Sequence, residues 1–100
     1  FIHGDLWYEN YILNDNNELV GIVDFEGSGM GDPAYDIAAL YYLGTGFINK
    51  VLSYYKYTDE DLIKRVSMLI KAREIADFDD MVKNYPEEVE EQVDKIKKVL

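Results

Sequence analysis

His3-Gly4-Asp5-Leu6-Trp7-Tyr8-Glu9-Asn10 stands almost at the start of the chain, and Val23-Asp24-Phe25-Glu26-Gly27 places a second acid, Asp24, fourteen residues after Asn10. Between them, Tyr11-Ile12-Leu13 and Leu19 to Phe25 are short runs rich in β-branched, aromatic and other apolar residues. They flank Asn14-Asp15-Asn16-Asn17-Glu18, a polar stretch whose Asn and Asp side chains favour turns. A small β-hairpin is predicted. If its first strand follows Asn10 and its second ends at Asp24, the ribbon returns those two residues to the same end.

That convergence gives the pattern H-x-D-x4-N, followed by Asp24, a chemical reading as a phosphoryl-transfer site. The charge of a nucleoside triphosphate is held by Mg²⁺, a hard ion that prefers carboxylate and amide oxygens. Asn10 and Asp24 are therefore the candidate metal ligands. Asp5 lies on the loop before the first strand and is the candidate catalytic residue, accepting or orienting the proton of an incoming hydroxyl. Two other readings compete with this one. A metal-dependent hydrolase could use His3, Asp5 and Asp24, but it needs further ligands and the chain has only 1 His. A non-catalytic helical interaction module could retain such a loop without using it.

Downstream, Gly27, Gly29 and Gly31 lie in a small polar loop ending in Asp32-Pro33, which predicts a helix capped by Asp32, running to about Leu43 and stopping at Gly44. Phe47 to about Tyr55 reads as a second short helix. Thr58 is expected to open a third, with Leu62, Ile63, Val66, Leu69, Ile70 and Ile75 on one apolar face, continuing to about Lys83. The last begins at Pro86 and places Val89, Val93, Ile96 and Leu100 on one face, with acids early and lysines late to match the helix dipole. Trp7, Tyr8 and Tyr11, and the cluster Tyr41, Tyr42, Tyr54, Tyr55 and Tyr57, are expected mainly to fill core. A hairpin followed by three to five helices is an α+β arrangement.

The composition is that of one globular unit: 100 residues, 48% hydrophobic and 30% charged, with no cysteine for disulfide, thiolate metal site or thiol nucleophile. Cysteine usage is that of an intracellular protein, and a cytoplasmic location is expected. The longest apolar run, Ile37 to Leu43, is far short of the roughly twenty residues of a spanning helix, so a membrane partner is not expected. A net charge of -10 argues equally against nucleic acid. The first fifty residues hold eight Asp/Glu and a single base, Lys50. Acids that crowd together without counter-charge call for a cation, which again suggests a metal or a cationic ligand in this half.

The stretches His3-Gly4-Asp5, Asn10 and Asp24, followed by Gly31-Asp32-Pro33-Ala34-Tyr35-Asp36-Ile37-Ala38, resemble the catalytic loop and metal-binding segment of the aminoglycoside phosphotransferase family and its choline-kinase-like relatives, within the protein-kinase-like superfamily. The resemblance covers residues 1 to about 43. It implies that Asp5 is catalytic, that Asn10 and Asp24 bind Mg²⁺, and that His3 and Asp36 support the site, Asp36 tying helix to loop. It also implies transfer from ATP or GTP to a hydroxyl of a small cationic molecule, in many members an aminoglycoside antibiotic, which confers resistance. Glu74, Asp77, Asp79 and Asp80 are then candidates for binding ammonium groups. Glycine at position 4 lacks the charge with which an arginine there pairs with a phosphorylated loop in many protein kinases, so regulation of that kind is not expected. The family's Gly-rich phosphate loop and strand lysine do not occur in these residues. The chain is accordingly expected to be a C-terminal-lobe portion, inactive alone, with residues 1–32 forming the catalytic loop, hairpin and metal-binding loop and 33–100 a helical subdomain.

Overall fold

Asn14 organises the hairpin. Its side-chain Oδ1 accepts from the N–H groups of Asn16 and Glu18, both at 2.9 Å, and Asn17 takes the left-handed conformation (φ 60°) that asparagine tolerates better than most residues. The computed structural model describes residues 1–76 and 78–99. In it β1 (Tyr11–Leu13) and β2 (Leu19–Ile22) pair antiparallel, with Tyr11 opposite Ile22, Ile12 opposite Gly21, and an irregularity before Leu13 meets Leu19. A separate bridge joins Ile2 to Gly29 through two backbone hydrogen bonds. The chain then turns helical: α1 (Ala34–Ala39), α2 (Thr45–Tyr54), α3 (Glu60–Ala76), α4 (Phe78–Asn84) and α5 (Val89–Val99), with short 3₁₀ turns at Tyr8–Asn10, Tyr41–Leu43 and Pro86–Glu88. The α+β expectation is met, as a two-stranded antiparallel hairpin followed by helices.

The core lies where α1 packs on α3. Ala34, Ile37 and Ala38 of α1 meet Ile48 and Leu52 of α2 and Leu62 and Val66 of α3, with Tyr41, Val51, Leu69 and Ile70 at its margin. Two small residues on α1 let the helix axes approach, and the i, i+4 spacing of Leu62 and Val66 places both on the buried face. None of the described helices is long and apolar enough to cross a membrane.

Several boundaries differ from the periodicity reading, each for a local reason. The first helix stops at Ala39 and a 3₁₀ turn carries the chain to Gly44, whose φ of 91° ends it. The second begins at Thr45, two residues earlier than expected. Thr58 does not open the third: its hydroxyl donates to the Leu52 carbonyl at 2.7 Å, closing α2, while Asp59 accepts from the Leu62 N–H at 2.7 Å and caps α3. The helix expected to run on to Lys83 is helical at every described residue to Asn84, over Glu60–Ala76 and Phe78–Asn84, with Asp77 outside the described residues. Asp79 and Asp80 pair with Lys83 and Asn84 one turn on.

Ile63 and Ile75 are exposed, off the buried face of α3. Tyr54 and Tyr57 are also exposed, since they lie at and beyond the end of α2, past the turns that pack on α3. Tyr8 is half-exposed as well, its ring covered on one side by Trp7 and Tyr42. On α5, Val89, Val93 and Ile96 are half-buried, whereas Leu100 and Asp77 lie outside the described residues.

Asp32 performs two tasks. Oδ1 accepts from the Ala34 N–H at 3.0 Å at the start of α1, and Oδ2 accepts from Arg65 Nε of α3 at 2.6 Å. The Arg65 guanidinium, then the Ala34 N–H, hold this carboxyl below its ordinary pKa. A group whose folded pKa is depressed stabilises the fold above its unfolded pKa and loses that effect as pH falls through the folded value. Asp32→Ala is expected to cost about 1 kcal/mol at pH 7, mostly through the lost cap, because the ion pair is solvent-exposed. In urea titrations the gap from wild type should close as pH drops below about 4. A gap that persists at pH 2 would mean that the side chain acts through packing rather than charge.

Candidate active site

Asp36, in the first turn of α1, fixes the loop before β1. Its Oδ2 accepts from the His3 N–H at 2.7 Å and its Oδ1 from the Gly4 N–H at 3.0 Å, so one carboxylate holds two consecutive peptide groups. His3 is buried and spends both ring nitrogens on backbone. Nδ1 lies 3.1 Å from the Asp5 N–H and Nε2 lies 2.8 Å from the Val23 carbonyl. An N–H can only donate and a carbonyl can only accept, so this network requires the neutral ring with its proton on Nε2. The ring also packs against Phe25, with centroids 4.6 Å apart. His3 thereby ties the loop of Asp5 to the end of the hairpin that carries Asp24.

Asp5 is held from both sides. Trp7 N–H donates to its carbonyl at 2.8 Å, and the Asn10 side-chain amide donates both to that carbonyl at 2.8 Å and to Asp5 Oδ2 at 3.1 Å. With its NH₂ turned to Asp5, Asn10 keeps its amide oxygen free of partners among the described residues. Its backbone carbonyl accepts from the Val23 N–H at 2.9 Å, which sets Asn10 across the ribbon from the residue before Asp24. Asp24 has φ 62°, a left-handed conformation costing a non-glycine residue roughly 1–3 kcal/mol and kept only where surroundings impose it. Its carboxylate has no hydrogen-bond or ion-pair partner among the described residues. Two hard oxygen donors without internal partners, the Asn10 amide and the Asp24 carboxylate, suit Mg²⁺.

Among the described residues no group of three or more His, Cys, Asp or Glu is placed to hold a metal. The hydrolase reading loses its footing here, because His3 has no ring nitrogen left to ligate an ion. Two donors suffice only for an ion whose other ligands come with it, as they do with a triphosphate.

Sequence reasoning passed over Tyr11 and Tyr42 as chemistry. The Tyr11 hydroxyl donates to the Leu6 carbonyl at 3.3 Å, bracing the residue after Asp5. Burial, then the neighbouring Tyr42 hydroxyl, raises its pKa well above the ordinary value, so it stays a donor. The Tyr42 hydroxyl is itself buried and makes no hydrogen bond of good geometry. Its ring meets Trp7 and Tyr8 edge-on at 4.9 and 5.6 Å. Only the spacing of aromatics on either side of the site hinted at this layer.

A family model described as "Phosphotransferase enzyme family" matches residues 1–69. The chain belongs to this family. The matched span takes in the whole Asp5, Asn10 and Asp24 segment, the hairpin, and the helices as far as the middle of α3. No curated protein and no solved structure matches the chain significantly. Membership of the phosphotransferase family makes phosphoryl transfer the activity class. The family depends on a nucleoside triphosphate and generally uses ATP and Mg²⁺, and its fold is kinase-like.

Proposed function

We propose that these residues are the catalytic-loop half of a small-molecule kinase, which transfers the γ-phosphoryl group of ATP or GTP to a hydroxyl. The supporting observation is the double role of Asn10: its side chain grips Asp5 while its backbone carbonyl is bonded to the residue before Asp24. In the transfer, Asp5 orients the acceptor hydroxyl through the carboxylate oxygen that Asn10 leaves free and takes up its proton. The acceptor oxygen bonds to the γ-phosphorus as the bond to the β-γ bridging oxygen breaks, releasing the nucleoside diphosphate. Bound Mg²⁺ neutralises phosphate charge, with Asn10 and Asp24 as its protein ligands. Because the transition state is loose, positioning matters more than base strength. His3 and Asp36 contribute by fixing the backbone of Asp5. The clamp for base and phosphates is proposed to lie in a preceding lobe, and the exposed apolar residues of the hairpin, Leu13, Leu19, Val20 and Val23, support that reading. The resemblance favours an aminoglycoside acceptor; the loop geometry asks only for a hydroxyl.

The test is Asp24→Asn in the full-length protein. Phosphoryl transfer followed by ³¹P NMR should fall by about 100-fold or more, and nucleotide-dependent Mn²⁺ binding should weaken with it. Unchanged Mn²⁺ binding would remove Asp24 from the metal site.

A further inference from the structure

Although the chain carries a formal charge of -10, one cleft in it is cationic. The cleft, about 420 Å³, lies among the Tyr41–Leu43 turn, the end of α3, α4 and α5, and its lining includes Arg73, Lys95, Lys98, Tyr42, Glu74 and Gln92. Arg73 and Lys98 have no ion-pair partner among the described residues. Lys95 pairs with Glu91 at 3.0 Å, an exposed contact between residues one helical turn apart that is readily exchanged. The basic residues suit the C-terminal turns of α3 and α5 electrostatically, but dipole matching does not require that they converge on one cavity.

Glu74 is the one acid among the described lining residues, and it is already engaged. It is 5% exposed, and the Gln92 side-chain amide donates to its Oε2 at 3.0 Å and to its carbonyl at 2.8 Å. Of the other acids expected to serve ammonium groups, Asp79 and Asp80 do not line the cleft, and Asp77 lies outside the described residues. An ammonium group entering the cleft would face three like charges against the single Glu74 carboxylate, whereas an oxyanion would face three partners and one like charge. The cleft also abuts the catalytic loop. Tyr42, on its wall, contacts the ring of Trp7, and the backbone N–H of Trp7 is bonded to the Asp5 carbonyl.

We propose that the acceptor hydroxyl belongs to a molecule bearing an oxyanion group, carboxylate or phosphate, which this cleft receives through Arg73, Lys95 and Lys98. The word acceptor rests on the kinase reading above; the binding of the oxyanion does not.

The experiment is calorimetric titration of the full-length protein, without nucleotide, against glycerate, glycerol 1-phosphate, glycerol and an aminoglycoside. Glycerate or the phosphate ester, the tighter of the two identifying the oxyanion, should bind at least about 10-fold more tightly than glycerol and the aminoglycoside. Arg73→Gln and Lys98→Gln, which keep the aliphatic stems, should each weaken that oxyanion by about 10-fold, while Lys83→Gln, outside the cleft, leaves it unchanged. Added salt should weaken it further. Tighter binding of the aminoglycoside, no binding of either oxyanion, or an Arg73→Gln effect under about two-fold would each overturn the proposal. Such a failure leaves the Asp24→Asn test untouched. Conversely, oxyanion binding with no phosphoryl transfer would count against the kinase reading alone.

Discussion

Asp5→Asn in the full-length protein is expected to lower the rate of phosphoryl transfer by about 10²–10⁴-fold, with nucleotide affinity changed by less than about two-fold. The substitution is nearly isosteric, and the three backbone anchors of this residue do not involve its carboxylate: its N–H meets His3 Nδ1, and its carbonyl accepts from Trp7 and Asn10. What changes is charge. The amide cannot take up the proton of the acceptor hydroxyl, but it retains an oxygen on which Asn10 can donate. The fall should therefore appear in kcat with KM for the nucleotide little altered, whereas Asp24→Asn should disturb both. If the Asp5→Asn enzyme turns over within a few-fold of wild type, proton removal is not the role of this carboxylate. A matching loss of nucleotide affinity would instead assign it to holding the metal.

The order of these two acids and the turn between them could be read because both depend on neighbours in sequence: Asn14 bonds to residues two and four along the chain, and the ribbon needs only that turn. Relations over longer spans were not legible in the same way. Asp36 reaches His3 and Gly4 across more than thirty residues, and no local period signals this; only the family resemblance suggested it. Asp32 could be recognised as a cap, but not as the partner of Arg65 in α3. Helical spacing located the apolar stripe of α3 through Leu62 and Val66, yet could not tell that Ile63 and Ile75 would remain outside, since which side of a stripe is covered depends on where α1 lands. The tyrosines show the same limit. Tyr41 and Tyr42 sit in the turn that packs beside the site, and Tyr54 and Tyr57, of identical chemistry, stay exposed to solvent.

Position 4 has a second reason to be glycine, one that the sequence does not show. The sequence suggests that glycine there forgoes an arginine and its regulatory charge, and the structure adds a steric reason. Gly4 has φ 87°, and a Cβ built on it would lie 2.3 Å from the Gly27 carbonyl oxygen and 2.9 Å from its carbon. No side chain fits without moving one of two backbones, and the Gly4 N–H is also bonded to Asp36. Gly4→Ala should therefore cost about 3 kcal/mol in urea denaturation, combining left-handed strain with overlap. Two other glycines separate those contributions. Gly44 has φ 91° with open space around its Cβ position, so Gly44→Ala should cost about 1–2 kcal/mol from backbone strain alone. Gly29 has open space and no such φ, so Gly29→Ala should stay within about 0.5 kcal/mol of wild type. The order Gly29, Gly44, Gly4 is the substance of the prediction. Should Gly4→Ala cost no more than Gly44→Ala, the loop around Gly27 gives way freely, and the crossing of these two segments does not fix where Asp5 stands.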